Sequence, residues 1–205
     1  MMLNPMKTRL LFTTFLLIFT ANCYAGGGLV LLDGKKSFIF GAVGSSDVNI
    51  DASLAPNTTL TTNALDSSAA AFEIGVGYEF NKKYFATLAV QKNKLGIADI
   101  NNIYGSVNYQ FSKKGIQPFM GVLAGYSQLD WSKRPHVVFI NEDLTSNSFI
   151  YGLQAGVEKK LGTKLSLFAK YQYLKYDHTM EIVNNTSNIN HNSGQSLLLG
   201  LRYFF

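Results

Sequence analysis

The chain has 205 residues, of which 47% are hydrophobic and only 15% are charged, whereas ordinary globular domains carry about 25% charged residues. Its formal net charge of +5 is too small an excess of basic residues to predict a nucleic-acid partner. This composition is unusual for a soluble protein of this size. The length of the chain predicts a single domain.

Residues 1–25 are predicted to be a secretory signal peptide. Lys7 and Arg9 form a basic start, residues 10–19 form an apolar core too short to span a bilayer, and Cys23 and Ala25 are small residues at the −3 and −1 positions of a cleavage site. Cleavage there leaves a net charge of +3 and no cysteine, which excludes a disulfide, a thiolate nucleophile and a Cys-ligated metal. An alternative role for Cys23 as a lipoprotein anchor is disfavoured because the residue before it is not small.

Beyond a short lead at residues 26–36, apolar and polar residues alternate with a period of two, which is typical of half-buried β-strands. In the clearest segment, Phe72 and Ile74 lie on one face and Glu73 and Gly75 on the other. The pattern predicts eight strands, at residues 37–45, 71–80, 84–91, 102–111, 118–127, 149–158, 165–173 and 195–205.

The connections between these strands alternate in length. Three are short and rich in lysine (81–83, 112–117 and 159–164), and four are longer (46–70, 92–99, 128–148 and 175–194). Outer-membrane barrels show this asymmetry, with short periplasmic turns and longer extracellular loops. Because every backbone polar group must be paired inside a bilayer, the sheet has to close. We therefore expect an all-β fold, a closed antiparallel eight-stranded up-and-down transmembrane β-barrel over residues 37–205, with both termini in the periplasm.

Aromatic residues gather near both ends of the predicted strands, as expected at two membrane–water interfaces. Near the short turns the set is Tyr78, Phe80, Tyr84, Tyr109, Phe111, Phe119, Tyr203 and Phe205. Near the long loops it is Phe72, Tyr126, Trp131, Phe149, Tyr151 and Tyr173.

The last predicted strand resembles the C-terminal signature that the barrel-assembly machinery reads in bacterial outer-membrane barrels. Its alternate residues are all large and apolar: Leu197, Leu199, Leu201, Tyr203 and Phe205. Four internal segments (40–44, 118–127, 152–157 and 171–173) are similar, in the same order, to the porin-family group of small barrels that includes opacity proteins, the OmpA transmembrane domain and OmpX-like proteins.

This resemblance implies a monomeric, non-enzymatic protein of the Gram-negative outer membrane, surrounded by membrane lipid and lipopolysaccharide. Its loops would serve surface adhesion, other surface contacts or envelope integrity. A narrow porin-like channel and a lipid A-modifying enzyme are the alternatives within the membrane, and a soluble secreted β-protein is the alternative outside it.

Charged residues occur at positions predicted to face the barrel interior. Eight strands leave an interior that side chains just fill, and an unpaired buried charge costs several kcal/mol (about 3–5 when one partner of a pair is removed). A lumen ion-pair network is therefore expected among Glu73, Glu79, Glu158, Lys170 and Arg202. A gated polar pathway is the alternative, but Tyr104, Phe168, Leu174 and Leu198 are also predicted to point inward and to plug the lumen.

The three histidines, His136, His178 and His191, all fall in predicted loops. His178 with Asp177, or His191 near Ser193, would offer a base and a nucleophile, and the two histidines together would offer metal ligands. Long loops lack the rigid support that catalysis needs, so we expect solvated histidines, no catalytic or metal site and no cofactor.

The loop at 128–148 carries the most distinctive surface chemistry. Trp131, Lys133, Arg134 and His136 form a basic and aromatic set, followed by the apolar run at 137–140. Such a patch suits lipopolysaccharide phosphates, an anionic host glycan or a host protein surface. The alternative is a β-hairpin that packs on neighbouring loops.

Overall fold

The computed structural model describes residues 37–53, 68–95, 98–112, 114–130, 145–182 and 187–205. The predicted signal peptide, the lead at 26–36 and the loop set Trp131, Lys133, Arg134 and His136 lie outside the described residues.

Eight antiparallel strands follow one another around a closed barrel, in which each strand pairs with the next and the last pairs with the first. The predicted fold class and all eight predicted strands are confirmed. Across the described part of the chain, no helix is long and apolar enough to cross a bilayer. The strands are β1 (Ser37–Ser53), β2 (Ser68–Glu79), β3 (Tyr84–Lys94), β4 (Asp99–Gln110), β5 (Ile116–Asp130), β6 (Thr145–Lys160), β7 (Leu165–Ile182) and β8 (Ser187–Phe204).

The two ends of the barrel are different. The short connections and the residues Ser37 and Phe205 lie at one end, here called the turn side, and the opposite end is called the loop side. At the turn side, the Asn81 side chain accepts hydrogen bonds from the backbone of Lys83 (2.7 Å) and Tyr84 (3.0 Å), which explains the tight turn between β2 and β3.

The strands extend further on the loop side than the sequence pattern predicts. Most of residues 175–194, predicted to be a loop, belongs to β7 and β8, which pair as far as Ile182 and Ser187. The outward residues of a strand become polar once it leaves the hydrocarbon, as at Lys175 and Asp177, so the apolar outward face that marks a lipid-facing strand ends there while the backbone ladder continues. Register shifts at 49/50 and 175/178 mark β-bulges in this extension.

The outer surface carries a continuous apolar belt. Ile74 is 69% exposed and Leu153 is 61% exposed. Soluble proteins rarely expose apolar patches larger than about 600 Å², so a belt of this extent indicates contact with lipid. Every second residue at the end of β8 joins this outer belt: Leu197, Leu199, Leu201, Tyr203 and Phe205.

Aromatic residues border the belt, and on the turn side Tyr84 contacts Tyr109 with ring centres 5.2 Å apart. One assignment was wrong. Phe119 does not join the turn-side band, because its position in β5 points inward, where it is 3% exposed and lies 5.6 Å from the ring of Phe85.

Candidate functional site

The turn-side part of the interior is filled by aromatic rings around a buried arginine. Arg202 on β8 is 3% exposed. Its guanidinium carbon lies 4.3 Å from the ring centre of Phe38, 4.7 Å from Phe85 and 5.4 Å from Phe168. Cations are attracted to ring faces at such distances, most strongly where water is excluded. These four residues, here called the arginine cage, block the lumen on the turn side.

The charge of Arg202 is balanced by Glu158 on β6. The guanidinium donates a hydrogen bond to one oxygen of Glu158, and the hydroxyl of Ser166 donates to the other oxygen at 2.6 Å. Glu79 lies half-buried at the turn-side end of β2. The structure therefore pairs two of the five charged residues in the predicted set at this depth.

A second ion pair crosses the lumen at mid-depth. Lys170 Nζ on β7 donates to Glu73 Oε1 on β2 at 2.6 Å, and the hydroxyl of Tyr104 on β4 donates to the other oxygen of Glu73. Gln172 donates to the Tyr104 oxygen at 2.8 Å and to Gln154 Oε1 on β6 at 3.0 Å. This mid-lumen layer links four strands through buried side chains, so it closes the interior a second time.

Sequence reasoning missed the role of inward-facing glycines. At Gly200 an added Cβ would lie 2.6 Å from the Phe168 ring and 2.7 Å from the Ala42 Cβ. The missing side chain therefore makes the space that the ring fills. The only available signal in the sequence was glycine at inward positions. Which ring fills the space beside each glycine depends on strand register. The same arrangement joins Gly75 to Phe40, Gly77 to Phe38 and Gly156 to Phe119.

The loop-side interior contains histidine and serine instead of rings. His178 is fully buried, and its ring nitrogens contact the hydroxyls of Ser127 on β5 (2.8 Å) and Ser146 on β6 (3.2 Å). His191 on β8 is its cross-strand partner and is 1% exposed. The expectation of solvated loop histidines was wrong for both, because the strands extend past them.

Both histidines lie above the apolar belt, outside the membrane-spanning part of their strands. The outward positions just before His178 are Lys175 and Asp177, which mark the exit from hydrocarbon. Burial lowers the pKa of His178 to about 4; a charge on His191 would lower this pKa further, and Asp177 opposes the shift. Burial also lowers the pKa of His191 to about 4. Both imidazoles are therefore neutral at pH 7.

Of the two catalytic arrangements considered from sequence, His191 and Ser193 are both buried on the inward face of β8, whereas Asp177 and His178 lie on opposite faces of β7. Asp177 faces outward and His178 faces inward, so the carboxylate does not orient the imidazole. Ser127 and His178 do form a close serine–histidine contact, but both are buried inside the barrel and the second imidazole nitrogen faces Ser146. Within the described ranges, no group of three or more His, Cys, Asp or Glu residues is placed to hold a metal ion.

An apolar exterior around an interior filled by paired polar and aromatic side chains defines a small transmembrane β-barrel of the outer-membrane type. No protein-family model matches the sequence, and no curated protein does.

Solved structures of small outer-membrane barrels match the fold. Neisserial surface protein A is 16% identical, with 82% of this chain and 97% of that one covered and a TM-score of 0.55. OprH of Pseudomonas aeruginosa is 22% identical (83% and 99% covered, TM-score 0.51). The N-terminal barrel of OprF from the same organism is 12% identical (84% and 100% covered, TM-score 0.50). The predicted likeness to small outer-membrane barrels is thus confirmed at the level of the fold.

Proposed function

We propose that this protein is a non-enzymatic, monomeric barrel of a Gram-negative outer membrane that contacts molecules outside the cell through its loop side. The observation that carries this proposal is the combination of a lumen closed at two depths with strands that outlast the apolar belt on one side only. A closed interior directs function to the outer surface.

The raised part of the loop side is formed by five adjacent strands. β5, β6, β7, β8 and β1 have 15, 16, 18, 18 and 17 residues, whereas β2, β3 and β4 have 12, 11 and 12. About 9–11 residues suffice for a tilted strand to span a bilayer. The longer strands therefore form a rigid ribbon above the membrane, and a rigid support favours specific contacts because little order has to be gained on binding.

The chemistry of the neighbouring connection supports an anionic ligand. Trp131, Lys133, Arg134 and His136 follow directly after β5, and guanidinium and aromatic groups suit phosphates and sulfated or carboxylated sugars. Lipopolysaccharide phosphates and host glycans share this chemistry. In this proposal residues 131–136 are the contact site.

The interior argues against a channel. The mid-lumen layer and the arginine cage lie in series, and both are made of buried, mutually bonded side chains. A solute would have to break two ion pairs to pass, which would leave charges unpaired in a narrow, dry space. The porin-like alternative therefore requires a rearrangement of the interior.

The interior also argues against lipid chemistry. The serine–histidine contacts of His178, with Ser127 at 2.8 Å and Ser146 at 3.2 Å, face into the barrel and away from any acyl chain. Enzymatic hydrolysis would also need a group that orients the imidazole, and here Ser146 takes that place instead of a carboxylate.

Replacing residues 131–144 by a glycine–serine segment of equal length tests the proposal. We expect binding of cells that express the barrel to host cells, or to immobilised anionic glycan, to fall to background. Heat-modifiable gel migration should persist, since it reports the folded barrel. Replacing residues 54–67 in the same way is the matched control. Unchanged binding in the first variant would overturn the proposed contact site, and release of the protein by osmotic shock would overturn the membrane location.

A further inference from the structure

The two rims of the barrel carry different charge. On the turn side, the six described lysines are all exposed, and no acidic side chain among the described residues of this rim is exposed. On the loop side, Lys92 forms an ion pair with Asp99 at 3.0 Å, and the exposed Asp177 lies two residues from Lys175. The turn-side set, here called the lysine rim, is Lys82, Lys83, Lys114, Lys159, Lys160 and Lys164.

The lysine rim lies at the level of the aromatic band. The turn that holds Lys82 and Lys83 is bounded by Phe80 and Tyr84, and a backbone hydrogen bond of 3.0 Å from Phe80 to Tyr84 closes it. Such a turn cannot carry its lysines far from the interface. Long lysine stems lie along apolar surface while the ammonium group reaches water or headgroups. The rim therefore sits where lipid phosphates lie, except for Lys160, whose Nζ lies 5.5 Å from the centre of the inward Phe204 ring.

The distribution of the lysines around the barrel indicates which kind of ligand contacts them. They come from three turns, β2–β3, β4–β5 and β6–β7; two strands separate the first turn from the second and the second from the third, and four strands separate the third from the first. A free phosphate or a small protein would touch one or two of these turns. A lipid leaflet surrounds the whole barrel and reaches all three.

We propose that the lysine rim binds the phosphate groups of anionic phospholipids in the leaflet on the turn side of the barrel. This inference rests on the membrane location in the proposed function. Each lysine near a charged membrane surface contributes a factor of about five in binding at low salt. The ammonium groups thereby enrich acidic lipid next to the protein and hold the turns at the interface.

The test uses the full barrel in phosphatidylcholine bilayers that contain either spin-labelled phosphatidylglycerol or spin-labelled phosphatidylcholine. Electron paramagnetic resonance gives the ratio of the two association constants at the protein surface. We expect a several-fold preference for phosphatidylglycerol that falls as salt is raised, because salt screens exposed charges. Replacing all six rim lysines by glutamine should remove the preference.

The matched control replaces the loop-side lysines Lys92, Lys94 and Lys175 by glutamine, and it should retain most of the preference. Gel migration before and after heating shows that each variant is folded. A preference that survives in the six-lysine variant, or one that disappears equally in the control, would overturn the inference. Competition by millimolar inorganic phosphate would also overturn it, because a free anion rather than the leaflet would then satisfy the rim. A protein that fails to enter bilayers at all would instead refute the proposed function.

Discussion

The two halves of the barrel interior bury polar side chains in different ways. On the turn side, a buried charge is kept and is paired, with Arg202 held by Glu158 and by three rings. On the loop side, His178 and His191 are buried as neutral cross-strand neighbours, and His178 contacts the hydroxyls of Ser127 and Ser146. The difference teaches that a paired charge among rings and neutral buried imidazoles are separate parts of one interior.

The contrast also appears in how tightly the strands are constrained. On the turn side, the strands end in short turns, and aromatic rings fill the space beside inward glycines. Larger side chains cannot be added there without strain. On the loop side, the strands continue beyond the apolar belt, where backbone pairing and polar contacts stabilise them. Three experiments test this contrast, and they are ordered here by the size of the expected effect.

Loss of the arginine cage should have the largest effect. Arg202→Ala leaves Glu158 buried without its partner, and removal of one member of a buried pair costs about 3–5 kcal/mol. We expect the urea midpoint of unfolding in detergent, followed by the folded band on gels, to fall accordingly. Planar-bilayer recordings of the variant should show no channel, since the mid-lumen layer stays in place.

The control for this experiment is the double variant Arg202→Met with Glu158→Gln, which removes both charges and should recover part of the lost free energy of unfolding. Step-like conductance of the unmodified protein would contradict the closed interior.

A methyl group added at an inward glycine that contacts an aromatic ring should lower the free energy of unfolding by the next largest amount. In Gly200→Ala the new Cβ would meet the Phe168 ring at 2.6 Å, and such overpacking costs about 1–3 kcal/mol. The matched control is Gly105→Ala, whose nearest neighbour would be the Thr87 carbonyl oxygen at 3.8 Å. Equal unfolding midpoints for the two variants would show that the ring does not depend on the glycine.

Acidification should have the smallest effect, and it acts on the loop side. The pKa values of His178 and His191 are lowered to about 4 in the folded barrel and are near 6.5 when unfolded. The unfolded chain therefore takes up protons first, and the free energy of unfolding falls as the pH drops below about 6.5. From about pH 7.5 to about pH 5.5 the loss is about 1 kcal/mol for each histidine.

Unfolding curves at the two pH values measure this loss. The double variant His178→Gln with His191→Gln should lose most of the pH dependence while Gly105→Ala keeps it. A double variant with the same pH dependence as the parent would place the titrating groups elsewhere in the barrel.

Sequence reasoning predicted the barrel because the alternation of side chains is a local property of each strand. A strand turns successive residues to opposite faces. Phe72, Ile74 and Leu197 alternate with other residues along the chain, and they therefore share the face that meets lipid. Tyr104, Phe168 and Leu198 were placed inside by the same rule. Strand order followed from short connections, which can join only neighbours in an antiparallel sheet.

Alternation alone did not give the ends of the strands or the contacts between them. Phe119 was assigned to the outer band from its position near a turn, although it lies between the outward Pro118 and Met120 and therefore faces inward. From residue 175 the alternation of β7 continues with the polar residues on the outward face, Lys175 and Asp177, and the apolar Tyr176 on the inward face, so a search for an apolar outward face misses this extension.

The sequence by itself determined the class of fold, the lipid-facing residues and the charged residues that share the lumen. Only the tertiary structure decided which of them meet: Lys170 with Glu73, Arg202 with Glu158, and His178 with Ser127 and Ser146. The physical reason is that facing is set within one strand, whereas a contact across the lumen depends on the register and tilt of strands far apart in the chain.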